Sequence, residues 1–479
     1  MEAIPSWLTQ FPVILFLLTF LSHPIAAEEL LKGFIATPDS SVSSFQPLLN
    51  DSVGNYSLGF LRVDRTQLAL AVIHVPSQEQ LWIAGKSPLA RWSSQTRLSF
   101  NGSLVISDSH TGVLWSSYTD GSRVRLSNTS NLLIEMVGDT TPLILWQSFD
   151  FPYNTLMETQ IFTSAMTLVS SNGMYSMKLG PDFIGFYSRF ADNSDPGHLY
   201  YQHNPMEAKA RVLKGQGPIR AMLNPDGFLG LYQNGSTPVD LQSFSTFQQP
   251  GTGSRRLRLE TDGNLIGYYW TRSSWIVDFK QIPNLCDLPS SCGPYGLCQP
   301  GKGCSCVDNR TDYSSGRCGT SGGDFCGKKH GVLRRTGVEL PNKEIMAYTI
   351  MSSLEKCERV CEENCTCWGA VYSNTSGFCY TIDYPIQTVV EVLDVTKAGY
   401  FKVREGARKD NKVVGLWIGL GLLCGLVLIL GGVVLYKREK RGVKGYVEEE
   451  GVNGGVGPYK NLGSESFKSI ELSERWRKQ

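Results

Sequence analysis

The residues of this chain that could do chemistry are its cysteines. Twelve of the thirteen fall between Cys286 and Cys379. An even, clustered set points to disulfides and an oxidising compartment. Cys286, Cys292, Cys298, Cys304, Cys306 and Cys318 occupy 33 residues and enclose Cys292-Gly-Pro-Tyr-Gly-Leu-Cys298. So little apolar sequence cannot bury a core, so bridges must fix it. Zinc is the other chemistry open to close cysteines. A secreted setting and the absence of Cys-x-x-Cys pairs weigh against it, and no acidic cluster argues for calcium. Further on stand Cys326, Cys357, Cys361, Cys365, Cys367 and Cys379. Ser352-Ser-Leu-Glu355 reads as a capping box in which Ser352 accepts a backbone N–H and Glu355 reaches back. The helix it opens carries Cys357 and Cys361 four apart, on one face. Cys365 to Tyr372 then reads as a strand.

Catalytic motifs are not found. There is no Gly-x-Ser-x-Gly elbow and no His-Glu-x-x-His, and the six histidines are scattered. The expectation is a non-enzyme with no cofactor and no metal. The net charge of +1 argues against a nucleic-acid partner.

The elements that must hold these residues are organised around Val413 to Tyr436, 24 residues without a charge. About 20 suffice for a helix to cross the hydrocarbon. Phe11 to Leu21 is a shorter apolar run followed by the small residues Ala26 and Ala27, as in a cleaved signal peptide over 1–27. Glycosylation sequons begin at Asn50, Asn55, Asn101, Asn128, Asn234, Asn309, Asn364 and Asn374, all before the long run. Together these predict a single-pass type I plasma-membrane protein, with an extracellular N-terminus, a transmembrane helix at 413–436 and a cytoplasmic tail at 437–479. The thirteenth cysteine, Cys424, is then a small lipid-compatible residue.

From Leu30 to about Trp275 no helical period is found. Short alternating runs recur instead, separated by Gly, Asn, Asp and Ser clusters, as in antiparallel strands with tight turns. Asn101 to Ile106, Ser130 to Ile134 and Asp262 to Ile266 each place a turn before an apolar strand, and Trp115 and Trp146 follow two of them. Short β units packed around shared tryptophans suggest an internally symmetric barrel or prism.

The string Trp146-Gln-Ser-Phe-Asp-Phe-Pro152, with these repeats and the cysteine order, resembles the bulb-type lectin and S-locus-glycoprotein ectodomain of plant G-type lectin receptor kinases. Nearest in pattern are the family's kinase-lacking, PAN domain-containing membrane proteins. The resemblance covers roughly Leu30 to Phe401. It implies a mainly β chain: two tandem β-prism II (bulb-type lectin-like) domains at 28–155 and 156–280, an EGF-like module at 281–320, and an α+β PAN/apple domain at 326–402. EGF-like order implies Cys286–Cys298, Cys292–Cys304 and Cys306–Cys318. The PAN pattern implies Cys357–Cys379 and Cys361–Cys367, and leaves Cys326 and Cys365 to each other.

The family's mannose site reads Gln-x-Asp-x-Asn-x-Val-x-Tyr. Alternate residues of a strand share a face, so such a string lines one shallow site. The first two repeats have mostly lost it. The third keeps Asp262, Asn264 and Tyr268, which could hydrogen-bond a sugar diol, or could equally be a hairpin turn and a sheet residue. The family's receptors continue into a kinase, whose motifs are not found here. Two functions follow: a kinase-less receptor-like recognition or co-receptor protein working through extracellular protein contacts, with a receptor kinase or a second copy as lateral partner; or a cell-surface lectin for mannose-type glycans.

Overall fold

The computed structural model describes residues 26–403, apart from 86–87, 139–140, 190–196, 206–218, 234, 250–252, 309–312, 315, 317, 319–329 and 384–387, together with 425, 428–435 and 437. Residues 1–25 of the signal-peptide reading and 438–479 of the tail lie outside these residues, as does most of the apolar run at 413–436. Leu428 to Leu435 is helical. Among the described residues no helix is long and apolar enough to cross a membrane.

The chain is mainly β. Residues 29–147 form three antiparallel sheets. One orders Phe45–Asn50, Tyr56–Arg62, Gln67–His74 and Glu79–Ile83; the second, Gly112–Ser116, Leu104–Asp108, Thr96–Phe100 and Phe34–Ala36; the third, Glu29–Leu31, Arg123–Leu126, Leu132–Met136 and Leu143–Gln147. In Thr96–Phe100 and Leu104–Asp108 every second residue is buried, so each turn-plus-alternation unit feeds one face inward. Leu58, Phe60, Leu98, Leu104, Leu132 and Ile134 meet there in a single core. Residues 155–280 repeat the arrangement with three further four-stranded sheets around Phe162, Phe186, Leu231, Leu257 and Leu265.

The two three-sheet units are locked together through residues far apart in sequence. The Glu79 carboxylate accepts from Arg256 at 2.5 Å and Arg258 at 3.0 Å. Trp275 Nε1 donates to Ser77 Oγ at 3.0 Å, and the same hydroxyl lies 2.9 Å from His74 Nδ1. The Arg256 guanidinium sits 4.0 Å from the Trp275 ring centre. His74 is 3% exposed and packs against Trp270 and Trp275; the titratable groups around it are Tyr56, Glu79 and Arg256. Burial first, then the Arg256 charge, pushes its imidazole down to about 4, with Glu79 opposing. The unfolded chain takes up this proton near 6.5 and the folded chain only near 4, so stability falls as pH drops through that window. At about 1.4 kcal/mol per unit, the loss is of the order of 3 kcal/mol. Thermal melts from about pH 7 down to about pH 4.5 should therefore show a steeper fall for the wild type than for His74→Gln. Equal slopes would remove His74 as the cause.

The cysteine-rich part is two sheets and a helix. The hairpin Gly296–Gln299/Gly303–Cys306 shares a sheet with Thr388–Glu391 and Val338–Glu339, Gly296 lying opposite Thr388. The segments on either side of residue 320 are thus hydrogen-bonded into one sheet and share one core, including Tyr295, Leu297, Trp368 and Phe401. The other sheet orders Gly331–Thr336, Lys397–Val403, Gly369–Ser373, Phe378–Ile382 and Thr349–Ile350, with the helix Leu354–Glu363 packed on it. The helix starts one residue later than its capping box predicts. Ser353 is the N-cap and accepts from the Lys356 N–H. Two adjacent serines can cap equally well, and the choice falls to the phase that buries Cys357 and Cys361 against the sheet.

The structure joins Cys286 to Cys298, Cys292 to Cys304, Cys306 to Cys318, Cys357 to Cys379 and Cys361 to Cys367, with Cα separations of 5.3 to 5.7 Å. Cys365 is also disulfide-bonded, and Cys326 lies outside the described residues.

Candidate functional site

Asp262, Asn264 and Tyr268 sit on the turn and strand that follow Arg255–Leu259. Gly263 holds φ +90°, and a side chain there would meet the Tyr200 hydroxyl, which donates to the Gly263 carbonyl. Asn264 is 4% exposed. Its Nδ2 donates to the Ile282 carbonyl at 2.7 Å and its Oδ1 accepts from the Ile282 N–H at 3.0 Å. Asp262 Oδ1 accepts from the Asn264 N–H at 2.9 Å, and Tyr268 Oη donates to Glu260 Oε1 at 2.7 Å. Burial and the Glu260 partner hold the Tyr268 phenol above its ordinary range. The side-chain polar atoms of Asn264 and the Tyr268 hydroxyl are thus engaged with other protein groups, while Asp262 is exposed and its Oδ1 closes the turn on Asn264.

The second repeat does the same. Asn131 Oδ1 accepts from the Phe149 N–H at 3.2 Å, eighteen residues on, as Asn264 does from Ile282. In each case the asparagine ties a hairpin to the segment closing its sheet. Asn264→Ala should therefore cost about 1–3 kcal/mol, because it strands a buried N–H and carbonyl. Denaturant titration checks this, and a change below about 0.5 kcal/mol would show the clamp to be dispensable.

Of the sequon asparagines, Asn55, Asn101, Asn128, Asn364 and Asn374 are exposed and Asn50 is half-buried in a strand. Asn234 and Asn309 lie outside the described residues. Among the described residues no group of three or more His, Cys, Asp or Glu is placed to hold a metal ion.

The first unit holds a different constellation. Trp82, Trp115 and Trp146 come one from each of its three sheets and meet edge to face, with ring centres 5.8 to 6.1 Å apart. Phe151 stacks on Trp146 at 5.6 Å, and its carbonyl accepts from Trp82 Nε1 at 2.9 Å. At Gly85, φ +68°, the backbone passes so close to Trp115 that an added Cβ would lie 3.3 Å from the indole. These rings line a cleft of about 680 Å³ whose far side is Ala165, Met166 and Thr167 of the second unit. Trp115 and Trp146 carry a visible signal, since each follows a repeated turn and strand. Trp82 and Phe151 carry none: Trp82 lies on a strand without that turn, and nothing in Phe-Asp-Phe-Pro marks its ring as cleft-lining.

Residues 80–178 match a family described as D-mannose binding lectin, and residues 232–309 match the S-locus glycoprotein domain. The chain is 51% identical over 458 residues to a PAN domain-containing protein of Arabidopsis thaliana, across 93% of this chain and 92% of that protein. The chain belongs to the PAN domain-containing members of the G-type lectin S-receptor-like ectodomain family. A receptor-like or lectin role goes with that membership. The Arabidopsis thaliana G-type lectin S-receptor-like serine/threonine-protein kinase SD2-5 is 25% identical over 399 residues, covering 78% of this chain and 47% of the kinase. This family member thus spans about half the length of the receptor kinases it matches. A solved two-domain, fetuin-binding lectin from Scilla campanulata is 16% identical over 53% of this chain and 100% of its own, with a TM-score of 0.20 that carries no argument about fold.

Proposed function

We propose that this chain is a single-pass plasma-membrane recognition protein, its N-terminus extracellular, working as a kinase-less co-receptor through protein contacts of its ectodomain. The observation that carries the reading is the internal use of Asp262, Asn264 and Tyr268. With Asn264 buried and both its polar atoms bound to Ile282, the best-preserved sugar motif has no open diol site. The paired three-sheet units support two β-prism II domains, and the cross-linked sheets with their stapled helix support EGF-like and PAN parts. The charge-free run at 413–436, helical over Leu428 to Leu435, supports the membrane anchor. A receptor kinase, or a second copy of this chain, is the lateral partner on this reading.

Full-length protein purified in mild detergent from its own membranes should carry a kinase-bearing receptor with it, and deletion of 326–402 should reduce that capture. Recovery of the protein without any kinase-bearing chain or second copy would overturn the reading. The D-mannose binding lectin match favours a second reading, a mannose-type lectin. Mannose capture abolished by Tyr268→Phe would establish it instead.

A further inference from the structure

We infer that the hairpin turn carrying the Asn374 sequon is a glycan-shielded surface: N-linked sugars on Asn374 lie over the apolar side chains of Leu393, Val395 and Ile350. These are the three most exposed large aliphatic side chains among the described residues 26–403, at 102%, 72% and 75%. Single exposed apolar residues are ordinary on a protein surface, but three around one turn are not. The turn from Asn374 to Gly377 joins the strands Gly369–Ser373 and Phe378–Ile382. On one side the Asn374 N–H donates to the Thr396 carbonyl at 3.0 Å, next to Val395, and Thr375 Oγ1 donates to Thr396 Oγ1 at 3.2 Å. On the other the Met351 N–H donates to the Gly377 carbonyl at 2.8 Å, next to Ile350, whose Cγ2 would lie 3.7 Å from a Cβ added at Gly377. Asn374, Thr375 and Ser376 are all exposed. The pattern recurs: Val53, the next most exposed at 65%, stands two residues before the sequon at Asn55.

The neighbouring loop is built to hold its side chains out. Asp394 Oδ1 accepts from the Thr396 N–H at 3.0 Å and from its hydroxyl at 2.6 Å, and the Lys397 N–H donates to the Asp394 carbonyl at 3.2 Å. These bonds fix the backbone from Asp394 to Lys397 and leave Leu393 and Val395 without packing inside the fold. Leu393 is three residues from Thr396, hence no more than about 11 Å away. The first N-acetylglucosamines of an N-linked chain bring C–H faces and acetyl methyls that cover aliphatic groups, while their hydroxyls stay in water. A protein partner is the competing occupant. It would have to reach the same turn past a glycan on Asn374, and no free charge there selects it: Asp394 and Lys397 face each other at 3.9 Å, and Lys397 also meets Glu339. The inference rests on the extracellular reading, which is what brings Asn374 to the glycosylation machinery.

The test is hydroxyl-radical footprinting of the full chain, purified in mild detergent from a eukaryotic secretory host, with glycopeptide mass spectrometry reporting which sequons are occupied. Leu143, 63% exposed in the first unit, is the internal reference. With the Asn374 glycan in place, Leu393, Val395 and Ile350 should be oxidised several times more slowly than Leu143, after correction for intrinsic side-chain reactivity. Peptide-N-glycosidase treatment, Asn374→Gln and Ser376→Ala should each raise all three to the Leu143 rate or above. Asn128→Gln, which removes a sequon of the first unit, should leave them protected. Oxidation unchanged on removing an occupied Asn374 glycan would overturn the inference, whether the side chains were open throughout or stayed covered by a protein partner. An unoccupied Asn374 beside glycans at Asn101 and Asn128 would overturn it and leave the extracellular reading intact. No glycan at any sequon would overturn both.

Discussion

Replacing Asp278 with alanine is expected to destabilise the second three-sheet unit by about 3–5 kcal/mol, enough to lower its melting temperature by of order 10 °C. The reason is a buried cation. Arg255 and Asp278 are both buried and meet at 2.7 Å between Arg255 Nη1 and Asp278 Oδ2. Asp278 also accepts from the Thr246 N–H at 2.9 Å and its hydroxyl at 2.5 Å. Arg255 donates in turn to the Pro225 carbonyl at 3.1 Å and to Thr246 Oγ1 at 2.6 Å. This network pins the turn after Asp240–Ser243 to the strands Arg255–Leu259 and Trp275–Lys280. Removing the carboxylate alone leaves the enclosed guanidinium without the acid it is hydrogen-bonded to, which costs more than the pair itself contributes. The double change Arg255→Met with Asp278→Leu should recover much of the loss, and a double-mutant cycle by thermal and denaturant unfolding measures the coupling. A loss below about 1 kcal/mol for Asp278→Ala would mean that water reaches the site and the pair is not enclosed.

The second large effect is expected at Lys402. This lysine is 1% exposed and its ammonium donates to the carbonyls of Cys361 at 2.7 Å, Glu362 at 3.3 Å and Asn364 at 3.0 Å. Those carbonyls end the helix Leu354–Glu363, where an α-helix has no internal donors left and carries partial negative charge. Burial pulls the ammonium below the usual lysine range, with the charges of Glu362 and Asp383 opposing. Lys402→Met keeps the stem and removes the donors. Three carbonyls then lose their shared partner, for a loss of about 3–5 kcal/mol. Amide hydrogen exchange should show the helix opening locally while the two three-sheet units keep their protection. Lys402→Arg, which keeps charge and donors but alters their geometry, should fall between the two. If Lys402→Met leaves exchange in the helix unchanged, the cap carries little of its stability.

Much of this was legible in order along the chain. The mainly β character follows from short alternating runs divided by turn residues, because a strand's two-residue period is written locally. The family is legible from Trp146 to Pro152 and from the cysteine order. The cross-linked character of residues 286–379 follows from cysteine number and the scarcity of apolar residues around them. The sugar motif was legible as residue types but not as a site. Asp262, Asn264 and Tyr268 have sugar-binding chemistry, and their partners Ile282 and Glu260 decide whether that chemistry is free.

The sequence by itself therefore determined the local periods, the cross-linking chemistry and the family. Only the tertiary structure decided how distant segments close on one another. It set Glu79 against Arg256 and Arg258, paired the strand at Gly296 with that at Thr388, brought Lys402 under the last turn of a helix forty residues earlier, and drew Trp82, Trp115 and Trp146 into one cleft. The physical reason is that periodicity and turn chemistry are set by neighbours along the chain. Burial and hydrogen-bond satisfaction are set by whatever the folded chain brings alongside.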